Sequence, residues 1–319
     1  MDKSLVRQAR RGMNRVGITV LVYYAMINLV AVCVMMVEMI VYLAKLLVNG
    51  QGLNVTAMLD HASRRLMESG WSYIVAIAIG LLIVLAWKGR GYWRREVFEK
   101  QRSMTGPDFL QLLCVFLSAQ FLFQLFATFL EWLLNLVGLS AMAAVELAST
   151  TGTTFSMYLY VCILGPISEE LLFRGVVMRT LRPWGKQAAI VLSALVFGLF
   201  HGNVVQIPFA FAVGMVLGYV TVEYSIFWAI VLHVFNNMIM ADLLGRLPEN
   251  LMIALTNGVT LAATVAAVVI LICKRRQVAD YIRENRMNGA AVRGFFTSPA
   301  MLIFIVVMLG MSLLTVTPL

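Results

Sequence analysis

Five of the ionisable side chains inside apolar stretches of this chain stand in motif-like spacing: Glu169, Glu170, Arg174, His201 and His233. An ionisable group in hydrocarbon costs kilocalories and survives only when it faces protein, water or a partner. The five are therefore expected to build one polar site. Within the run Ser168–Arg174 the two glutamates are adjacent, and Arg174 stands four residues after Glu170. On a helix that spacing puts Glu170 and Arg174 on one face, where they can pair. Glu169 is turned about 100° away. One carboxylate can then be held by the arginine while the other faces a cavity as a general acid–base group. Further along come Phe197-Gly198-Leu199-Phe200-His201 and His233-Val234-Phe235-Asn236-Asn237. His233 and Asn237, also four apart, can offer donors to one point.

The elements that must position these groups are long and apolar. The chain has 319 residues, 61% of them hydrophobic and only 13% charged. A soluble domain carries about a quarter charged residues. The fold expected is all-α: a multi-pass transmembrane helical bundle of about nine spans (eight to nine). They lie near 17–44, 71–88, 108–138, 153–182, 187–203, 207–223, 226–244, 251–273 and 299–316. Glu169 and His201 are equally far in sequence from the Pro183-Trp184-Gly185 turn. If that turn is a hairpin of straight helices, both groups lie at one depth.

The net charge of +9 is distributed by loop. The segments 1–16, 88–102, 179–186 and 274–293 carry 20 of the 25 Lys and Arg residues. That is the positive-inside pattern. It places the N-terminus in the cytoplasm and lets anionic headgroups, not nucleic acid, take the basic surface. The four cysteines all lie in apolar spans and form no CxxC or ligand cluster, so they read as small core hydrophobes. Glu38 and Glu131 lie in apolar spans without a motif and can pair with Lys45 or each other; Asp242 reads as interfacial. Glycines at 198 and 202, and at 214 and 218, read as close helix-packing sites.

The three elements, Glu-Glu-x-x-x-Arg, Phe-x-x-x-His and His-x-x-x-Asn in this order over residues 153–244, resemble the CAAX-protease and bacteriocin-processing family. This Abi-type group of intramembrane proteases includes the Ras-converting CAAX endopeptidase. The resemblance implies a glutamate-type endopeptidase with Glu169, Glu170, Arg174, His201, His233 and Asn237 as its catalytic set. Glu169 would activate a water with His201 helping to hold it. His233 and Asn237 would stabilise the tetrahedral oxyanion, and Glu170 with Arg174 would fix the helix. On the residues alone Glu169 and Glu170 can exchange roles. The expected substrate is a peptide or membrane-anchored protein, met in the bilayer of a cell membrane, a prokaryotic plasma membrane given the compact length. No cofactor is expected, the alternative being a zinc held by Glu169, His201 and His233. Two other function classes fit intramembrane charge: a transporter, or a non-catalytic bacteriocin-immunity or scaffold protein of the same fold.

The expected organisation is a basic arm at 1–16, accessory helices at 17–138, a catalytic membrane core at 139–273, and a basic loop with a last helix at 274–319.

Overall fold

The computed structural model describes residues 3–50, 52, 54–148, 154–243 and 246–319. The first residue of the expected fourth span, 153, lies outside them, as do the side chains of Arg95 and Asp242. The chain opens with one unbroken helix, α1 (Lys3–Val48), so the basic arm and the first span are continuous. Then follow α2 (Val55–Glu68), capped by the Asn54 side chain, α3 (Gly70–Lys88) and α4 (Arg90–Tyr92), which runs into a π-helical turn at Trp93–Val97. Helix α5 (Gly106–Asn135) starts on a Thr105 cap, which accepts from the Asp108 N–H. The short strand β1 (Leu139–Ser140) and α6 (Met142–Ala148) lead to the central part of the chain.

That part is helical but broken. Helix α7 (Phe155–Tyr158), a π segment at Leu159–Leu164, α8 (Gly165–Leu172), a second π segment at Phe173–Met178 and α9 (Arg179–Leu181) make up the expected fourth span. A 3₁₀ turn at Arg182–Trp184 and Gly185, at φ 103°, then reverse the chain into α10 (Lys186–Phe200). The expected hairpin is present. Helices α11 (Gln206–Glu223) and α12 (Ile226–Phe235) follow, and α12 continues as a π segment at Asn236–Leu243. The chain finishes with α13 (Glu249–Cys273), α14 (Arg275–Glu284), α15 (Gly289–Thr297), α16 (Pro299–Leu313) and β2 (Thr317–Pro318), which pairs antiparallel with β1.

Among the described residues five helices are long and apolar enough to cross a membrane: α1, α3, α5, α11 and α13. Counting α15 and α16, bent by 67° at Ser298, as one span makes six. The expected nine is therefore not met by length and composition. The shortfall falls on the helices that carry the site. Helix α10 has 15 residues, about 22 Å at 1.5 Å per residue, against roughly 30 Å of hydrocarbon. The segment 154–182 is divided by two π turns, and α12 is short.

Burial explains how this is tolerated. Apolar side chains of α1, α5 and α13 such as Val37, Ile40, Trp132 and Val265 are exposed, as a lipid-facing surface requires, whereas α10 is buried along most of its length. Irregular backbone at membrane depth is viable only where protein surrounds it. The chain is a membrane protein whose long helices enclose the broken ones. One hydrophobic cluster joins Met13, Val16 and Val20 of α1 to Phe173, Phe197, Phe295 and Phe304. Of the expected packing glycines, 198, 214 and 218 bring helices together: a Cβ on Gly214 would lie 3.1 Å from Ala194 Cα, and one on Gly198 would lie 2.7 Å from the Ile207 carbonyl; Gly202 instead lies past the end of α10, in a turn at φ 55°. Glu131 pairs with neither Lys45 nor Glu38. It accepts from Ser140 Oγ at 2.9 Å and from the Ala141 N–H at 2.6 Å, because β1 folds back onto the end of α5.

The basic segments meet at one end of the bundle. Gly12 lies against Trp184, Gly185 against the Arg286 carbonyl, and the Met287 N–H donates to Gln187 Oε1. The Arg102 N–H donates to the Glu223 carbonyl, while the Glu223 carboxylate takes Lys186 Nζ and the Tyr281 hydroxyl, each at 2.8 Å. Burial first, and then this carboxylate, hold the Tyr281 phenol above its ordinary pKa, so it stays a donor.

Candidate active site

The two adjacent glutamates of α8 have different surroundings. Glu170 is fully buried and its Oε1 meets two groups: Arg174 Nη1 at 3.1 Å and His233 Nδ1 at 2.9 Å. Glu169 keeps 28% of its side-chain surface open, with Oε2 lying 3.7 Å from His233 Nε2. The helical turn between neighbours thus sends one carboxylate into the packing and leaves the other at its edge.

Arg174 is wholly buried as well. Its Nη2 donates to the Gly214 carbonyl at 3.2 Å, and its guanidinium sits 4.4 Å from the centre of the Phe197 ring. Nη1 approaches Glu170 without hydrogen-bond alignment, and Glu170 Oε2 and Arg174 Nε have no hydrogen-bond partner among the described residues. Phe197 joins the site's elements: its ring meets Phe173 at 5.0 Å, His201 at 4.9 Å and His233 at 5.9 Å, all edge-on. Phe197 of α10 thus links the π segment after α8 to α12, twelve residues after Gly185 as Phe173 is twelve before it.

His233 sits between the two glutamates. Nδ1 faces a carboxylate oxygen that Arg174 also approaches, and against an ionised carboxylate, which only accepts, Nδ1 would be the donor. Nε2, on the Glu169 side, is the end left for chemistry. His201 is placed by its Nδ1, 2.9 Å from the Phe197 carbonyl. Among the described residues no three His, Cys, Asp or Glu side chains stand together as metal ligands, so Glu169, His201 and His233 are not gathered as a ligand set.

His233 and Asn237 do not share a partner. The backbone widens into the π segment at Asn236, which takes Asn237 out of α-helical register with His233. The Asn237 Nδ2 donates instead to the Val161 carbonyl at 2.9 Å. Its Oδ1 accepts from Asn236 Nδ2 at 3.1 Å, and Asn236 Oδ1 accepts from Gln120 Nε2 at 2.7 Å. Gln120 was not among the residues singled out by sequence. The available signal was a carboxamide in the middle of the apolar run of α5. Tyr23 and Tyr160, also unforeseen, stand within electrostatic reach of Glu169. The Tyr23 hydroxyl lies beside Ser168 yet makes no hydrogen bond to a described residue.

Residues 151–239, which contain every one of these motif side chains, match the family model described as type II CAAX prenyl endopeptidase, Rce1-like. This segment is Rce1-like. The matched family is a family of proteases, and the segment is well under half of the chain. No curated protein and no solved structure matches.

Proposed function

We propose that the chain is an intramembrane endopeptidase that hydrolyses a peptide bond of a membrane-associated peptide or protein with a glutamate-activated water. One observation carries this reading: the partly open Glu169 carboxylate faces His233 Nε2 at 3.7 Å, while Glu170, buried on Arg174, holds the opposite edge of the same ring. The proteases described by the Rce1-like family model support the reaction class.

In this mechanism a water binds beside Glu169, with His201 helping to hold it. Glu169 takes its proton as the water oxygen attacks the scissile carbonyl carbon. The oxyanion that forms is met by His233 at its Nε2 edge, and the second N–H of the Asn237 amide, displaced from the His233 face, is the further donor this reading assigns to it. A preorganised donor of this kind is commonly worth about 2.7–4 kcal/mol. Glu169 then returns its proton to the leaving nitrogen, the C–N bond breaks, and an acid and an amine result. Glu170 and Arg174 touch no reacting atom; they fix His233 and the helix. No step calls for a metal ion, and a strong chelator should leave activity intact. The basic end is assigned to the cytoplasm, with the core at 139–273 as the catalytic unit and a prokaryotic plasma membrane as its setting.

The test uses purified protein in detergent with a peptide library. Glu169→Gln keeps shape but cannot accept the proton, so cleavage should fall by at least about 10²-fold. Normal cleavage by Glu169→Gln together with a dead but folded Glu170→Gln would exchange their roles. Activity lost in both chelator and metal-free buffer, and restored by zinc, would replace the glutamate–water mechanism with a metal-assisted one.

A further inference from the structure

Helix α5 lies outside the Rce1-like segment, yet one of its side chains is bonded into the site. We infer that Gln120 is a positioning residue for Asn237: a three-amide relay from α5 sets which end of the Asn237 carboxamide is available to the reacting group. The inference rests on the endopeptidase reading above.

The argument starts at the far end of the relay. The donor expected for a carbonyl in a π turn is the N–H five residues on, and for Val161 that residue is Pro166, which has none. The N–H four residues on, at Gly165, is taken by the Tyr160 carbonyl. The Val161 carbonyl is thus left for a side chain, and it can only accept. Asn237 must therefore turn its NH₂ toward it, and does, at 2.9 Å. This orientation sends Asn237 Oδ1 to the other side, where only a donor fits, and Asn236 Nδ2 fills the position at 3.1 Å. Asn236 Oδ1 in turn needs a donor, and Gln120 Nε2 supplies it at 2.7 Å. A chain of carboxamides ending on a pure acceptor has one self-consistent direction, so the assignment of N and O at each amide follows from chemistry.

Two consequences bear on function. An Asn amide has two N–H bonds. The relay uses one for the Val161 carbonyl and commits the Asn237 oxygen to Asn236, so the second N–H is what the amide has left to offer a reacting group. Without Gln120, Asn236 can rotate its amide, and the neighbouring orientation of Asn237 is no longer enforced. Gln120 would then affect transition-state binding and not substrate binding.

The test is a double-mutant cycle on the full chain in detergent with a cleaved peptide. Gln120→Met keeps length and removes the donor. It should lower kcat roughly tenfold, less than the about 10²–10³ lost with an oxyanion donor itself, with KM unchanged. In an Asn237→Ala background the same change should have no further effect. Should Asn237→Ala not fold, Asn236→Leu takes its place, since the relay runs through it. An equal drop in both backgrounds, a change confined to KM, or no change overturns the inference. Glu169→Gln, run in parallel, reports on the enzyme reading alone. If that reading fails, the cycle is read in unfolding midpoints: non-additive shifts for Gln120→Met and Asn237→Ala support the relay, and additive shifts refute it.

Discussion

Glu169 and Glu170 are chemically identical neighbours that the fold makes unlike. The one with 28% of its surface open is free to exchange protons, and the fully buried one is held by Arg174 and His233. Their stability effects should therefore separate. Removing one member of a buried ion pair leaves an uncompensated charge and costs about 3–5 kcal/mol. Arg174→Met should lower unfolding stability by that order in denaturant titration, while Glu169→Gln should leave it nearly unchanged. Equal stability of the two variants would show that the Glu170–Arg174 pair does not hold the fold. The Glu170–Arg174 contact was legible in the sequence, because it is local: four residues on one helix. The His233–Glu170 contact was not. It spans 63 residues and joins two helices, and the expected local partner, Asn237, is displaced by a π turn that no spacing rule reveals.

At the scale of elements, glycine position separates packing from ordinary helix. A Cβ on Gly198 would sit 2.7 Å from the Ile207 carbonyl, a backbone atom that cannot move aside, whereas nothing lies within 4 Å of one on Gly258. Gly198→Ala should destabilise by about 1–3 kcal/mol through overpacking of α10 on α11. Gly258→Ala should be neutral or gain up to about 1 kcal/mol from helix propensity. Thermal unfolding of the two variants checks this, and a larger loss at 258 would contradict the packing described. The close approach of α10 and α11 was readable from GxxxG spacing. The number of crossing helices was not, because hydropathy measures apolar length and carries no mark of where a backbone widens. Spans four and seven read as apolar in sequence and are broken in space by π segments, and span five stops early at the turn into Gly202, at φ 55°.

Over the whole molecule the positive segments converge on one end, where Glu223 accepts from Lys186 and Tyr281. Loop charge alone foretold this clustering, since the sorting of Lys and Arg is a property of composition and order. Its orientation in the cell has a direct test. In a background with the four native cysteines replaced, a cysteine at Gln101 should be protected from an impermeant thiol reagent in intact cells. One at Arg64, in α2 at the opposite end, should react. The reverse pattern would turn the bundle over and move the side from which substrate arrives.

The missing N–H at Pro166 has a further consequence for engineering this fold. Pro166→Ala restores a backbone donor at this position in the first turn of α8 and should favour the helix modestly. The restored N–H would also compete with Asn237 for the Val161 carbonyl, which is now the amide's anchor. The variant should melt higher and turn over more slowly. A variant both more stable and as active as the native chain would show that the anchor is dispensable. If the two properties move apart, this backbone defect is one that turnover requires and thermal stability opposes.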